Sequence, residues 1–410
     1  MLKKNKKKKK PKRNKSFPAK SSKSWLKACA ELAYRKLNNR QEVIKNNCDV
    51  ICVAANEEAY IAKFIHHYAF QGFSNIFIGI NNSTDRTREI AEKIATFSPH
   101  VHIFNTNKPQ RLHGQRGSYA SLFRKVHKKS NSSHCLVVDI DEYWVANPPT
   151  MKIDEYINLM GDFDVLFVNW LCTYGQNFLE NPINLGDSYR LTAQGKSIFN
   201  YKCKMNSLRP HTPNTARHPS EIALKNSAGS LIPWEENEIT VASQKSPTLQ
   251  NTNKPPRLKD SPTSWIIHQI VRSELEYSLS LFTPKCTPPN QLKQETNNPF
   301  KTNRKGFHLR QVSANDARLK LLLQDEFLEK KYKTSYLRFL DDHNIAEEVA
   351  STEECFSEDF INQKIDSLPA SILLEHETTW RKIFSNTRFA EYLERKSRPR
   401  DHTNNQPKSI

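Results

Sequence analysis

Residues 49–85 read DVICVAANEEAYIAKFIHHYAFQGFSNIFIGINNSTD, and this stretch decides the fold class of the chain. Residues 49–55 and 75–80 are short apolar runs rich in β-branched side chains, which are typical of strands covered on both faces. Between them, apolar residues recur at helical spacing and predict an amphipathic helix. A strand, a helix and a second strand in this order predict a parallel βαβ unit.

The same alternation continues toward residue 138. Further elements are predicted as a helix over residues 85–95, a strand over 101–104, a helix over 115–129 and a strand over 134–138. We therefore expect an α/β fold with a mostly parallel central sheet and flanking helices. Such sheets bind ligands at the carboxyl ends of their strands. The segments NEE (56–58), NNSTD (81–85) and DIDE (139–142) all follow predicted strands, so a site is expected there.

The remainder of the 410-residue chain is less regular. A strand is predicted over residues 163–169, irregular loop over 207–262, a strand continuing into a helix over 264–282, and helices over 315–393. The expected organisation is a disordered basic tail (1–30), an α/β domain (48–285) with a nucleotide-binding half (48–145) and an acceptor-side half (146–285), a helical C-terminal region (310–395) and a disordered tail (396–410).

The net charge of +19 is concentrated at the N-terminus. Residues 1–27 hold 13 Lys or Arg and no acid, which leaves +6 for the other 383 residues. This run is expected to be a solvated tail, and contact with an anionic membrane surface or with RNA is the alternative. No apolar stretch approaches the roughly 20 residues that cross a bilayer. The eight cysteines form no CxxC pair, so a zinc module is not indicated.

The segment LVVDIDEYW, residues 136–144, places two carboxylates directly after a predicted strand. In an extended segment, side chains two residues apart point to the same side, so Asp139 and Asp141 are expected to converge. Close carboxylates repel each other unless a cation or a proton lies between them. Mg²⁺ or Mn²⁺ suits oxygen ligands and neutralises a departing diphosphate. A metal site is therefore predicted at these two residues, with a solvated acidic turn as the alternative.

In combination, the motifs NEE, NNSTD and DIDE resemble those of family 2 glycosyltransferases. The chain is most similar to a branch that resembles family 92 enzymes, closely over residues 48–170 and loosely over 190–285. The resemblance implies a GT-A fold, a nucleotide-diphosphate sugar donor, Mn²⁺ or Mg²⁺ at the two aspartates, and inversion at the anomeric carbon. It further implies a glycan or glycolipid acceptor, such as a surface polysaccharide or lipopolysaccharide precursor.

The resemblance also implies individual site residues. Donor contacts are implied for Asn56, Glu57, Asn81, Asp85, Gln115, Asp139 and Lys196. Helix capping is the alternative for Asn56, Glu57 and Asp85, and a core-facing position is the alternative for Gln115 and its neighbour Tyr119. Relatives usually have an Asp where this chain has Ile80 followed by Asn81, so the resemblance leaves the nucleotide open.

Two further roles follow from the same resemblance. His268, in WIIHQIVRS, matches a late histidine that completes the metal or diphosphate site, although a core histidine is the alternative. An inverting transfer needs a base to take a proton from the acceptor hydroxyl. Glu221, Glu235 and Glu236 lie in the expected stretch and are the candidate bases, with solvated surface acids as the alternative.

Three classes of function remain open from the sequence. A metal-dependent glycosyltransferase accounts for the strand-end motifs together. A sugar nucleotidyltransferase would use a similar sheet, but it usually needs a glycine-rich loop that AANEEAY lacks. A non-catalytic polyanion- or RNA-binding protein would depend on the basic tail, although we expect no specific nucleic-acid partner. The expected location is cytoplasmic, with peripheral association at the inner face of a membrane.

Overall fold

The computed structural model describes residues 46–126, 129–173, 189–203, 205–207, 214–215, 222–231, 264–270, 272–282, 298–302, 304–307 and 326–397. The strands in this part are β1 (Cys48–Ala54), β2 (Asn75–Ile80), β3 (Val101–Asn105), β4 (His134–Val138), β5 (Glu142–Ala146), β6 (Val165–Thr173), β7 (Tyr189–Asn200), β8 (Met205–Ser207), β9 (Asn214–Thr215), β10 (Leu224–Asn226) and β11 (Ser264–Gln269). The helices are α1 (Glu58–Phe70), α2 (Thr87–Phe97), α3 (Asn107–Val126), α4 (Ile153–Met160), α5 (Glu274–Ser280), α6 (Glu326–Asp342), α7 (Ala346–Glu353), α8 (Glu358–Asp366), α9 (Ala370–Glu375), α10 (Glu377–Ile383) and α11 (Phe389–Ser397).

The central sheet has the strand order β3-β2-β1-β4-β7-β6-β11-β5, and β10 pairs with β6. The first four strands are parallel. Beyond them the sheet is mixed, because β7 is antiparallel to β4 and β6 and β5 is antiparallel to β11. The predicted α/β class, with a curled central sheet, flanking helices and C-terminal helices, is confirmed, and the architecture is consistent with a GT-A-like fold.

Strand β1 is covered on both faces, as its apolar run predicts. Val50 and Cys52 pack in one apolar cluster with α1 and α2, whereas Ile51 and Val53 pack in a second cluster with α3. Because successive side chains of a strand point to opposite faces, both halves of the run are buried. The carboxyl end of β1 is thereby fixed between two helical layers.

Several element boundaries differ from the predictions. The range of α3, Asn107–Val126, joins two helical segments across Gly114, whose backbone (φ 65°) is not helical. The second segment agrees with the predicted start at residue 115, and the first, with Pro109 in its first turn, was not predicted. Residues 139–141 form a turn between β4 and β5, so the expectation of one extended segment is wrong. The region predicted as irregular, 207–262, contributes β9 and the short strand β10.

The C-terminal helices pack on the α/β part of the chain. Leu328 and Tyr332 of α6 belong to the same apolar cluster as α1 and β1. Helices α8–α11 form a separate apolar cluster with α5 and with Phe300 and Phe307. The predicted tail at 1–30 lies outside the described residues, as do residues 398–410 of the tail predicted at 396–410. Lys396 and Ser397 belong to α11, so the predicted start of the second tail is wrong by two residues. Within the described residues, no helix combines the length and apolarity that crossing a bilayer requires.

Candidate active site

A cleft of about 770 Å³ opens at the carboxyl ends of β1, β2 and β4. The loops after these strands contribute Asn56, Glu57, Asp85 and Asp141 to its lining. The lining also includes residues of α5 and α8 and the residues Pro299, Lys301 and Arg304. The volume lies within the range of about 300–1,000 Å³ that is usual for small-molecule sites. The predicted site at the strand ends therefore coincides with a cleft.

The loops after β1 and β2 are joined by hydrogen bonds. The Asn56 side chain accepts a hydrogen bond from the Thr84 backbone N–H at 2.8 Å. Asp85 accepts from the N–H of Glu58 at 3.1 Å and from the N–H of Thr87 at 3.0 Å, so it binds the first backbone N–H group of both α1 and α2. The proposed cap at Asn56 is wrong, because the residue before α1 is Glu57 and its side chain makes no cap hydrogen bond.

Asn81 is buried and does not line the cleft. Its backbone N–H and its side-chain Nδ2 both donate to the carbonyl oxygen of Ala54, at 3.1 and 3.2 Å. The side chain is buried, and the neighbouring Asn82 lines the cleft instead. In this structure Asn81 therefore holds β1 to β2.

Asp139 is surrounded by donors that the sequence places far apart. Lys196 Nζ lies 2.8 Å from one carboxylate oxygen, while Gln115 Nε2 and the Tyr119 hydroxyl donate to the other at 3.0 and 2.9 Å. Lys196 is completely buried on β7 and also contacts Glu142 at 2.9 Å. The implied donor contacts Gln115 and Lys196 thus both bind Asp139 in this structure.

The charges in this cluster balance one another. Burial favours the neutral carboxyl of Asp139, but the neighbouring Lys196 ammonium prevails and lowers the Asp139 pKa. Burial raises the pKa of Glu142 to about 7, although Lys196 opposes that shift. The two carboxylates in turn raise the pKa of Lys196 above its usual value despite its burial. Lys196 is therefore the cation of this buried cluster.

Asp141 and His268 form a second pair at the edge of the cleft. Asp141 Oδ2 lies 3.6 Å from His268 Nε2, and the Asp141 carbonyl accepts from the N–H of Gln269, which follows His268 on β11. Burial opposes charge on both groups, but their mutual attraction lowers the pKa of Asp141 and raises that of His268 to about 10. The two aspartates therefore have separate cationic partners, because the turn at 139–141 directs them to different neighbours.

Glu57 faces Arg272, a residue that the sequence reasoning missed. The Arg272 guanidinium lies 3.3 Å from a Glu57 oxygen and 3.5 Å above the ring of Tyr60. The Tyr60 hydroxyl donates to Glu276 at 2.8 Å, so α5 is joined to α1. Burial raises the pKa of Glu57 to about 7 although Arg272 lowers it. The sequence could have indicated Arg272, because it stands in the segment WIIHQIVRS with His268. Glu142 was also missed, although it is the last residue of the DIDE motif.

The predicted bases Glu221, Glu235 and Glu236 lie outside the described residues. Across the described part of the chain, no three His, Cys, Asp or Glu side chains converge as a metal site. Asp141 and His268 together supply one carboxylate group and one imidazole at the same place. The oxygens of Asp139 are already taken by protein donors.

Residues 49–124 match the family model described as glycosyl transferase family 2. The match covers β1 to α3 and includes the two joined strand-end loops, so it supports a glycosyltransferase. Family 2 is matched only up to residue 124, and the DIDE turn, Lys196 and His268 follow the matched segment. The similarity to family 92 remains a prediction.

The chain is also similar to a solved structure titled "Crystal structure of HddC from Yersinia pseudotuberculosis". That similarity has 12% sequence identity and a TM-score of 0.26, and it covers 43% of this chain and 88% of the other. No curated protein matches the sequence.

Proposed function

We propose that this chain transfers a sugar from a nucleotide-diphosphate sugar to a glycan or glycolipid acceptor. The observation that carries the proposal is that the joined loops of the family 2 segment line one cleft with Asp141. Ligands of parallel sheets bind at this edge, and the cleft is large enough for a small-molecule substrate. Asn56, Glu57 and Asp85 are accordingly proposed to line the donor pocket.

A divalent cation is part of the proposal. Asp141 and His268 would hold Mn²⁺ or Mg²⁺, with His268 then acting as a neutral imidazole ligand. The cation would supply charge stabilisation for the diphosphate leaving group. In this assignment Asp139 is a positioning residue, because Lys196, Gln115 and Tyr119 already occupy its oxygens. This differs from the sequence-based expectation that Asp139 itself binds the metal or the ribose.

The remaining parts of the proposal concern the acceptor side. Inversion would require a base that deprotonates the acceptor hydroxyl, and Glu221, Glu235 and Glu236 remain the candidates. A polysaccharide or lipopolysaccharide precursor remains the proposed acceptor class, reached from the cytoplasmic side of a membrane. The basic tail at 1–30 is proposed to contact anionic lipid there.

The donor can be identified by thermal shift with UDP-, GDP-, CMP- and dTDP-sugars, each with and without Mn²⁺. A ligand that binds only the folded state raises the melting temperature, so one donor should do so in a metal-dependent manner. Release of the nucleoside diphosphate or monophosphate then distinguishes sugar transfer from nucleotidyl transfer, which releases pyrophosphate. If no donor raises the melting temperature in the presence of metal, the proposal is contradicted.

The variant Asp141→Asn tests the role of the cleft carboxylate. It removes one negative charge from the proposed cation site, and we expect transfer to fall by about 100-fold while the protein still folds. Asp162→Asn is the matched control, because Asp162 is exposed and lies outside the cleft. Full activity of Asp141→Asn with the identified donor would refute the metal assignment.

A further inference from the structure

The cleft lining includes two cations that do not belong to the strand-end loops. Lys301 and Arg304 both line the cleft. The segment is anchored before them by Phe300, whose ring lies 6.0 Å from those of Phe282 and Phe384, and after them by Phe307, 5.5 Å from Tyr277. The Lys301 N–H donates to the carbonyl of Leu281 at 2.8 Å. Phe300 and Phe307 therefore anchor the chain on either side of the two cations.

These two cations lack the close carboxylate partner that Arg272 has. Arg272 is paired with Glu57 and stacked on Tyr60. Among the described residues, neither Lys301 nor Arg304 has an ion pair, and Arg304 Nε is buried without a hydrogen-bond partner. Burial and the charge of Arg304 lower the pKa of Lys301. Two close, partly buried cations repel each other, and a bound anion would relieve that repulsion.

The surroundings of the cations favour the acceptor over the donor. Phe282, Phe356 and Phe360 are half-buried and line the same cleft, which suits the apolar face of a sugar ring. The donor loops of the family 2 segment and Asp141 come from a different part of the chain. Lys301 interacts electrostatically with Glu57 and Asp141, so the two cations and the donor loops face the same reaction space.

We propose that Lys301 and Arg304 form an anion subsite for the acceptor, which is therefore a sugar carrying a phosphate or carboxylate group. This inference rests on the proposed function and names its substrate class. A phosphate in this cleft has a second potential source, the diphosphate of the donor. The same two cations would bind either phosphate, so the experiment must distinguish a phosphate of the acceptor from the diphosphate of the donor.

The test uses inorganic phosphate as the probe on the full-length protein, with ionic strength held constant by chloride. We expect saturating phosphate to raise the melting temperature of the wild type by about 2 °C or more. The double variant Lys301→Gln with Arg304→Gln should lose this shift, while its melting temperature without phosphate should be unchanged or higher because a repulsion is removed. The matched control, Lys330→Gln with Lys333→Gln, removes two exposed charges of α6 and should keep the shift.

Repeating the titration with saturating UDP or GDP identifies the source of the anion. If the subsite serves the acceptor, phosphate adds its shift to that of the nucleotide, and the double variant loses only the phosphate response. Loss of the phosphate shift once nucleotide is bound would assign the cations to the donor and overturn the inference. Absence of a phosphate shift in the wild type would also overturn it. A further outcome is that phosphate binds through Lys301 and Arg304 but no nucleotide or nucleotide sugar binds. The proposed function then fails, and the assignment to the acceptor fails with it. The anion site itself would still be confirmed.

Discussion

Lys196 is the residue on which the charge balance beneath the cleft depends. Its ammonium group is completely buried and lies within 2.9 Å of carboxylate oxygens of Asp139 and Glu142. Removing one partner of a buried ion pair leaves uncompensated charge in a medium that solvates it poorly. The second oxygen of Glu142 already has no hydrogen-bond partner among the described residues. Loss of the Lys196 ammonium would therefore leave the buried carboxylates of Asp139 and Glu142 without their compensating charge.

Lys196→Met should accordingly destabilise the fold. We expect the free energy of unfolding, measured by urea denaturation, to fall by about 3–5 kcal/mol. Lys202→Met is the matched control, because Lys202 is exposed near the end of the same strand, and its change should stay within about 0.5 kcal/mol. Adding Glu142→Gln to Lys196→Met should restore part of the loss, since one of the two unpaired carboxylates is then neutral. A loss below about 1 kcal/mol would contradict the assigned role.

At the scale of elements, the pairing of β6 with β7 places Lys196. The register of this pair shifts between Asn169 and Leu171, opposite the glycine that precedes the lysine. A Cβ atom at Gly195 would lie 2.1 Å from the carbonyl oxygen of Val168. A side chain larger than hydrogen is therefore excluded at residue 195. This residue directly precedes Lys196, whose ammonium group contacts Asp139.

Gly195→Ala should separate the two strands locally. The clash involves a backbone oxygen, which moves only with its strand, and we expect a loss of about 1–3 kcal/mol in the free energy of unfolding. Gln194→Ala changes the adjacent, half-buried residue and should have a smaller effect. Equal urea midpoints for the two variants would show that the strands tolerate the added methyl group.

The contact between α1 and α6 contains two buried histidines. His67 Nε2 lies 2.8 Å from the Trp144 carbonyl, and its Nδ1 lies 3.2 Å from the Tyr332 hydroxyl. His66 Nε2 lies 3.0 Å from the Ser335 hydroxyl. Burial lowers the pKa of each to about 3, so both are neutral in the folded protein at neutral pH.

Stability should therefore decrease in acid through these histidines. The unfolded chain takes up protons at His66 and His67 below a pH of about 6.5, whereas the folded chain resists protonation down to about pH 3. Their contribution is fully present above pH 6.5 and is lost progressively as the pH falls through this window. His67→Gln should reduce the slope of the unfolding free energy against pH. Tyr332→Phe should lower stability by about 1 kcal/mol at every pH and leave the slope unchanged. An unaltered slope in His67→Gln would contradict the linkage.

At the scale of the whole molecule, the C-terminal helices belong to two different cores. Helix α6 shares a core with β1 and α1, whereas α8–α11 share one with α5 and Phe300. The second core includes Tyr277, which lines the cleft, and Phe300, which precedes Lys301. Loss of this core should thus affect the cleft before it affects the parallel strands.

Trp380→Ala tests that division. Trp380 is buried in the second core and donates from Nε1 to the Leu373 carbonyl at 2.8 Å. The cavity should destabilise this region by about 3–5 kcal/mol. Hydrogen exchange should then accelerate in α8–α11 while β1–β4 stay protected. Leu374→Ala, at a side chain that is 52% exposed, should change little. Uniform acceleration would show that the two cores unfold as one.

The sequence by itself determined the βαβ order, because local apolar periodicity reports which neighbours along the chain share a face. It also located DIDE and the NEE and NNSTD loops at strand ends, where the cleft is found. The boundaries of β2 and β4 agree with their predicted ranges, since each run is apolar to its last residue. The match to family 2 falls on this part of the chain.

Tertiary structure alone decided the partners of the charged groups. Asp139 meets Lys196, Asp141 meets His268, and Lys301 reaches the cleft from a segment that no local motif marks. The order of strands in the sheet and the packing of the C-terminal helices bring these residues together. Local periodicity carries no information about that order, because the attraction between two charges depends on their distance in space rather than on their separation along the chain.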